Sequence, residues 1–373
     1  MREGEKKYDI IVVGAGISGV TIAERCANVL KKKVLVIEKR DHVGGNCYDY
    51  FNEAGVLVPK YGPHFFHTNF SDIWEYVSQF TNWHPYEHRV LSKVGESLVP
   101  IPVNIETVNK VFDINISSEH EMVEWLERNV EKIENPKNSE ESALGRVGKI
   151  LYEKMFKNYT KKQWDLWPHE LDASVMDRIP VRTNFDDRYF TDKYQGMPSK
   201  GYTKLFERML ANPNIDVRLG SDYFEIEKDI QGYDKLFFTG KVDDFLKEKI
   251  SARLQYRSLN LKYKTLDTEY FQERAQINYP NENEYTRITE PKHATGQINK
   301  KTTIIMEYPT WDDEPYYPVP TPRNQELYDK FFQEAQKLEE KGIYFVGRLA
   351  NYKYFNMDQA FKNALDLFYK INF

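Results

Sequence analysis

The first forty residues read as a strand, a glycine turn, a helix and a second strand, and this unit constrains the fold more than any other stretch. Residues 9–13 form a short apolar run, and Gly14-Ala15-Gly16-Ile17-Ser18-Gly19 follows it. Ile22, Ala23, Cys26, Ala27 and Leu30 then fall on one helical face, and Val34-Leu35-Val36-Ile37-Glu38 closes the unit. A βαβ unit needs parallel neighbours and a parallel sheet needs both faces covered, so short apolar runs elsewhere have to join it. Lys235-Leu236-Phe237-Phe238 and Ile343-Tyr344-Phe345-Val346 are the candidates.

Glycine at Gly14, Gly16 and Gly19 permits a tight turn and lets backbone N–H groups approach a phosphate closely. The helix that starts there, with Ser18 in its first turn, aims its positive dipole end at the same point. Glu38 ends the second strand about 20 residues further on, where a carboxylate accepts from a ribose hydroxyl and disfavours a 2′-phosphate. Strand, turn, helix and acid together imply a dinucleotide, FAD or NAD in preference to NADP.

At 373 residues the chain exceeds one ordinary domain and suits two or three, with a site between them. A net charge of −5 and a pI near 6.0 argue against a nucleic-acid partner. Cys26 and Cys47 have neither disulfide nor metal-site spacing, which fits a reduced, cytoplasmic setting and no metal centre. No segment approaches the roughly 18 apolar residues of a membrane span, and the mean hydropathy is −0.68.

Further along, the periodicity turns helical. Ser118 and Glu121 make a capping box before Val123, Leu126, Val130 and Ile133, and after a proline-containing loop a second helix carries Ala143, Val147, Ile150, Leu151 and Met155. Runs at 258–263, 275–279, 285–290 and 302–308 read as strands of an antiparallel sheet. Two more helices flank the run at 343–346: Leu327, Phe331, Phe332, Ala335 and Leu338 before it, and Ala360, Phe361, Ala364, Leu365 and Phe368 after it.

Three pieces decide between the dinucleotides. Glu38-Lys39-Arg40-Asp41-His42-Val43-Gly44-Gly45-Asn46 resembles the extension after the second strand in glutathione-reductase-like FAD proteins. Phe237-Phe238-Thr239-Gly240 resembles their internal strand-Thr-Gly motif, and Phe345-Val346-Gly347-Arg348 their C-terminal strand-glycine motif, with Arg348 where many relatives carry an acid. Further segments resemble the UDP-galactopyranose mutase family, in its order from end to end. They include Lys60-Tyr61-Gly62-Pro63-His64-Phe65-Phe66-His67-Thr68, Tyr159-Thr160-Lys161-Lys162-Gln163-Trp164, Arg178-Ile179-Pro180-Val181-Arg182, Tyr189-Phe190 and Tyr194-Gln195-Gly196. Tyr285-Thr286-Arg287, Asp313-Glu314-Pro315-Tyr316-Tyr317-Pro318 and Gly347-Arg348-Leu349-Ala350 continue the series.

The resemblance implies an isomerase of cell-surface polysaccharide synthesis. It would interconvert UDP-galactopyranose and UDP-galactofuranose through a flavin–sugar adduct, on FAD that must be reduced yet is not consumed. An external donor such as NAD(P)H or a reduced flavin, and a homodimer formed through the helical part, belong to the same expectation. Relatives acting on dTDP-fucopyranose or on UDP-N-acetylgalactosamine share the scaffold. By the same resemblance Arg178 and Arg287 hold the diphosphate, Tyr194, Tyr317 and Tyr354 add hydroxyl donors, Tyr189 and Phe190 lie near the sugar or nucleotide path, and Tyr159 and Trp164 stand at the uracil. His64 and His67 lie on the flavin-facing loop, beside the cationic Arg348, and Asn356 stands where the galactose enzymes have an aspartate. Gly14, Gly16, Ser18, Gly19, Glu38, Lys39, Gly45, Asn46, Arg348 and Asn356 form the expected cofactor set, with a loop near 164–182 closing over substrate. An amine-oxidase-like flavin oxidoreductase would be served by the first 50 residues equally well, but has no evident use for Arg178 and Arg287.

The expected architecture is α/β. An FAD-binding Rossmann-like domain comes from 1–85, 200–245 and 335–373, an inserted helical subdomain from 100–175, and an antiparallel β-sheet domain from 86–99, 176–199 and 246–334.

Overall fold

The computed structural model describes residues 7–311 and 314–371; Asp313 of the 313–318 motif lies outside them. Four apolar runs and one mixed run make a five-stranded, all-parallel sheet in the order Ile215–Arg218, Val34–Ile37, Ile10–Val13, Lys235–Phe238 and Ile343–Phe345. Both expected partner runs therefore join the βαβ unit on its far side, while the edge strand Ile215–Arg218 was not foreseen. One face packs Val12, Val34, Val36 and Phe237 beneath Ala23 and Ala27 of helix Ile17–Asn28, Phe206 of helix Tyr202–Met209, and Phe361 and Ala364 of helix Met357–Lys370. The other face packs Ile11, Leu35, Ile37, Leu236 and Phe238 against Tyr223. With both faces dry, the strands need no polar alternation.

A second sheet of seven strands has the order Tyr317–Pro318, Tyr256–Leu266, Thr302–Thr310, Arg287–Thr289, Gln276–Asn278, Val90–Val94 and Ser97–Ile101. The four expected strands are all present. Neighbours are antiparallel except Gln276–Asn278 against Val90–Val94, which run parallel. A third, small sheet pairs Tyr194–Pro198 with Phe66–Thr68 and Trp83–Pro85, so this part of 176–199 lies apart from the seven-stranded sheet. Helix Pro322–Glu339 runs through the expected division at 334/335.

The helical block shares one core with the hairpin of the second sheet: Val90, Val99, Ile101, Val147, Leu151, Met155 and Phe156 are all buried together. The Ser118–Glu121 capping box forms at helix Glu119–Asn129, but the apolar spacing misleads there. Met122 is the buried residue, Val123 is exposed, and Val130 and Ile133 lie beyond the helix end. In Ser139–Leu151, Gly148 sits at φ +76°, and a Cβ on it would meet the Asn129 carbonyl oxygen at 2.2 Å. That glycine lets the two helices touch backbone to backbone, and it kinks the second.

Candidate active site

At the C-terminal end of strand Ile10–Val13 the chain turns through Gly14, whose φ of +103° suits glycine. Thr239 donates to the Val13 carbonyl at 2.8 Å, and a Cβ on Gly14 would lie 2.1 Å from its Oγ1. Gly16 begins helix Ile17–Asn28 without a side-chain cap, so first-turn N–H groups stay available to an anion. Gly45 approaches Gly16, and a Cβ there would lie 2.9 Å from the Gly16 Cα. Glu38 Oε2 accepts from the Ala15 N–H at 2.8 Å and Oε1 from the Arg40 N–H at 2.9 Å, which fixes the carboxylate at the strand end.

Around these groups lies a groove of about 380 Å³, lined by Gly14, Gly16, Ser18, Glu38, Lys39, Gly45, Asn46, Arg348 and Asn356 among others. Gly19 lies beneath the turn, where a Cβ would strike the Gly14 carbonyl oxygen at 1.9 Å. Lys39 reaches Glu314 at 3.8 Å across the groove, and Arg40 holds Asn46 Oδ1 at 3.0 Å. An uncapped helix start, a close glycine approach and an acid at the second strand fit a dinucleotide.

His64, Asn46, Tyr316, Arg348, Asn356 and Met357 also line a second cavity of about 620 Å³, so the groove and this cavity meet there. Arg348 is held by the carbonyls of Phe355 at 2.6 Å and Tyr316 at 3.4 Å. Its guanidinium stands 5.2 Å from the Tyr354 ring and 5.7 Å from that of Tyr317. Arg178, at the end of helix Ser174–Asp177, lies 5.0 Å from the same Tyr354 ring. Burial alone would raise the Tyr354 phenol, but Arg178, Arg348 and Arg287 outweigh it and bring it below its ordinary value. Three guanidinium groups therefore act on this ring and line the same cavity, and one of them, Arg287, is paired with Glu307.

Arg287 stands opposite Glu307 in the ladder, with Nε 3.4 Å from Oε2, and donates through Nη2 to the Tyr159 hydroxyl. Tyr159 and Trp164 also line a smaller recess of about 70 Å³ off the main cavity, and Trp164 meets Tyr317 edge-on at 6.4 Å. Two cations pin the helix that carries them. Lys162 donates to the carbonyls of Tyr279, Glu282, Asn283 and Tyr285, while Arg257 donates to those of Gln163 at 3.0 Å and Lys162 at 3.3 Å. Tyr189 and Phe190 complete the wall, and His67 stacks on Phe190 at 3.5 Å with Nδ1 3.0 Å from Asp192.

Tyr194 is not brought to the cavity. It lies in the small sheet with its ring stacked on Trp74 at 5.2 Å, because strand alternation turns it to that face. Conversely, Glu307, His88, Gln163 and Gln276 line the cavity and were not among the expected site residues. For Glu307 a signal existed, since it is a lone charge in the run Thr302–Thr310, which is otherwise largely apolar and buried.

Burial and Arg348 push the His64 imidazole down to about 4, and burial with Arg287 and His67 pushes His88 to about 3. Both rings are neutral at pH 7. A folded value below the unfolded one means that the unfolded chain takes up protons first, so their stabilisation is full above about pH 6.5 and is lost as pH falls toward 4. The urea midpoint should drop over that window, and His88→Gln should flatten the drop; an unchanged slope would refute the assignment to His88.

Sequence comparison agrees with this geometry. A UDP-galactopyranose mutase profile matches residues 154–354, just over half of the chain, and an NAD(P)-binding Rossmann-like profile matches 12–80. The chain is 38% identical over 363 residues to the probable UDP-galactopyranose mutase of Klebsiella pneumoniae, covering 96% of this chain and 93% of that one. The chain belongs to the UDP-galactopyranose mutase family. Membership extends to other nucleotide sugars, because the dTDP-fucopyranose mutase of Escherichia coli is 36% identical over 367 residues, 96% of both chains. A solved structure of reduced UDP-galactopyranose mutase superposes with a TM-score of 0.77 at 16% identity, covering 98% of this chain and 93% of that one. The family match at 154–354 contains Arg178 and Arg287, which an amine-oxidase-like reading left without a use. Among the described residues no helix is long and apolar enough to cross a membrane.

Proposed function

We propose that the protein interconverts UDP-galactopyranose and UDP-galactofuranose, with FAD in the groove of about 380 Å³. The observation that carries this reading is the convergence of Arg178, Arg287 and Arg348 on a cavity that opens onto the dinucleotide groove. Guanidinium forks match diphosphate oxygens and stabilise the charge that develops there as the bond to the anomeric carbon breaks. Tyr317 and Tyr354 add hydroxyls on the same wall. Tyr159 and Trp164 offer faces to the base at the recess, which directs the sugar toward His64, Asn46 and Arg348 at the junction. When bound and reduced, FAD supplies the electron-rich centre for the ring interconversion and is not consumed.

The chain's own part is positioning and charge. Arg348 balances negative charge on the reduced ring system, and neutral His64 adds no second cation beside it. His67, held by Asp192 and stacked on Phe190, shapes the sugar side. Residues 100–175 act as the nucleotide-recognition part, and a cytoplasmic donor such as NAD(P)H or reduced flavin keeps FAD reduced.

The test is to incubate dithionite-reduced protein with UDP-galactofuranose and, separately, dTDP-fucofuranose, and to follow pyranose formation by HPLC beside an oxidised control. Conversion of the UDP sugar only when reduced is expected. Faster turnover of the dTDP sugar would move the substrate to that of the Escherichia coli relative, and no conversion of either would remove the mutase reading.

A further inference from the structure

The small sheet that carries Tyr194 away from the cavity brings two other residues together. Strand Phe66–Thr68 pairs with Tyr194–Pro198 in a register that sets His67 opposite Gln195, and the segment just before the second strand delivers Asp192. Asp192 Oδ2 lies 3.0 Å from His67 Nδ1, Asn69 Nδ2 donates to Oδ1 at 2.8 Å, and the Gln195 side chain donates to the Asp192 carbonyl at 3.0 Å. With Phe190 stacked on the ring at 3.5 Å, the imidazole is fixed in angle as well as in place. Nδ1 is committed to a carboxylate. The other ring nitrogen, Nε2, has no protein partner among the described residues, and the ring forms part of the wall of the main cavity. Asp358 and His88 are the other titratable groups that act on it. Of the imidazoles on this cavity, His64 and His88 are neutral at pH 7, bonded to the Gly62 carbonyl and the Tyr86 hydroxyl, whereas His67 is bonded to a carboxylate. A carboxylate–imidazole pair with one nitrogen open to a ligand is an arrangement that holds and passes a proton.

We propose that His67 is the proton carrier of the ring interconversion and that Asp192 positions it and balances its charge. This rests on the nucleotide-sugar reading above. Passing from furanose to pyranose breaks the C1–O4 bond and makes the C1–O5 bond. The bonding pair stays with O4, which gains a proton, while the O5 hydroxyl loses its proton and its lone pair forms the new bond. The imidazolium gives its Nε2 proton to O4, and the neutral ring left behind takes the proton from O5. One group thus serves both halves, no net proton is consumed, and Asp192 stays ionised throughout.

Turnover of UDP-galactofuranose by the reduced, flavin-loaded protein and its variants tests this. H67A should lower kcat about 10²-fold while its calorimetric affinity for UDP stays that of wild type. Free imidazole should raise the H67A rate about ten-fold by entering the space left, a response that lost packing alone does not give. D192N should lower kcat about ten-fold without responding to imidazole, and D192E, which keeps the carboxylate, should recover most of that loss. Wild-type kcat in H67A, or a loss that imidazole does not relieve, overturns the proton role. If H67A fails to hold flavin, D192N decides, and wild-type kcat in that variant overturns the pair. A wild-type protein that converts no UDP-galactofuranose removes the nucleotide-sugar reading and this inference with it.

Discussion

Arg287→Ala should lower kcat by about 10³-fold while the protein keeps its flavin. Glu307 and Tyr159 hold the guanidinium from two sides, so it is oriented before any ligand arrives and needs no rearrangement as charge develops. Arg287→Lys keeps the charge but not the fork, and should fall between the two. Arg287→Ala also strands Glu307, which is 2% exposed. Burial pushes that carboxyl up and Arg287 opposes it, so without the arginine the protonated form is favoured more strongly still. A carboxyl with a folded pKa above its unfolded value contributes stability below the unfolded value and loses it as pH rises. Arg287→Ala should therefore be less destabilised, relative to wild type, at pH 5 than at pH 8. Adding Glu307→Gln should recover stability at pH 8 without recovering kcat. Turnover by HPLC and melting at the two pH values check both halves; a kcat within ten-fold of wild type would take Arg287 out of the charge-bearing role.

The second large effect is expected at a position that never touches the ligand. Gly19→Ala places a methyl 1.9 Å from the Gly14 carbonyl oxygen and 3.2 Å from Val12. The obstacle is backbone, and Gly14 is itself tied to the Ile37 carbonyl at 2.8 Å, so relief requires shifting the central strand or the helix. A cost on the order of 3 kcal/mol follows from overpacking of this kind, and the turn that cradles the dinucleotide is displaced with it. The variant should purify without flavin absorbance and melt several degrees lower. Gly220→Ala serves as the control: its φ is +61° but a Cβ there meets nothing within 4 Å, so it should retain flavin. Full flavin content in Gly19→Ala would show that the turn tolerates what its geometry forbids.

The parts of the molecule legible in the sequence are those where local pattern and tertiary role coincide. The βαβ unit and the runs at Phe237 and Phe345 are continuous apolar strands because both faces of their sheet are covered. Edge strand Ile215–Arg218 escaped notice because Asp216, Val217 and Arg218 are exposed, and its pattern is that of a surface loop. Helix Glu119–Asn129 was found by its cap, yet its buried side was only partly foreseen: Leu126 packs on the core as expected, but Met122 and Trp125 lead there and Val123 does not. In the site, Arg178, Tyr159 and Trp164 could be named from motifs, whereas Tyr194 shows that the same residue type serves packing equally well. The pairing of Arg287 with Glu307 depends on strand register, and no local feature of either segment reveals it.

The order of the parallel sheet has a consequence for synthesis. Strand Ile10–Val13 leaves the ribosome well before its partners: its neighbour on one side, Lys235–Phe238, is made more than two hundred residues later, and Ile343–Phe345 more than three hundred residues later. Until then the βαβ unit exposes an apolar strand edge and the sheet face that its own helix does not cover, the condition in which nascent chains aggregate or recruit chaperones. Completion of the dinucleotide site is thereby postponed until residues 343–345 have been made, and folding dominated by such distant pairings is slow. A nascent chain stalled anywhere before residue 343 should remain protease-sensitive at strand Ile10–Val13, so the cofactor acts as a ligand of the completed sheet and not as a template for the growing one.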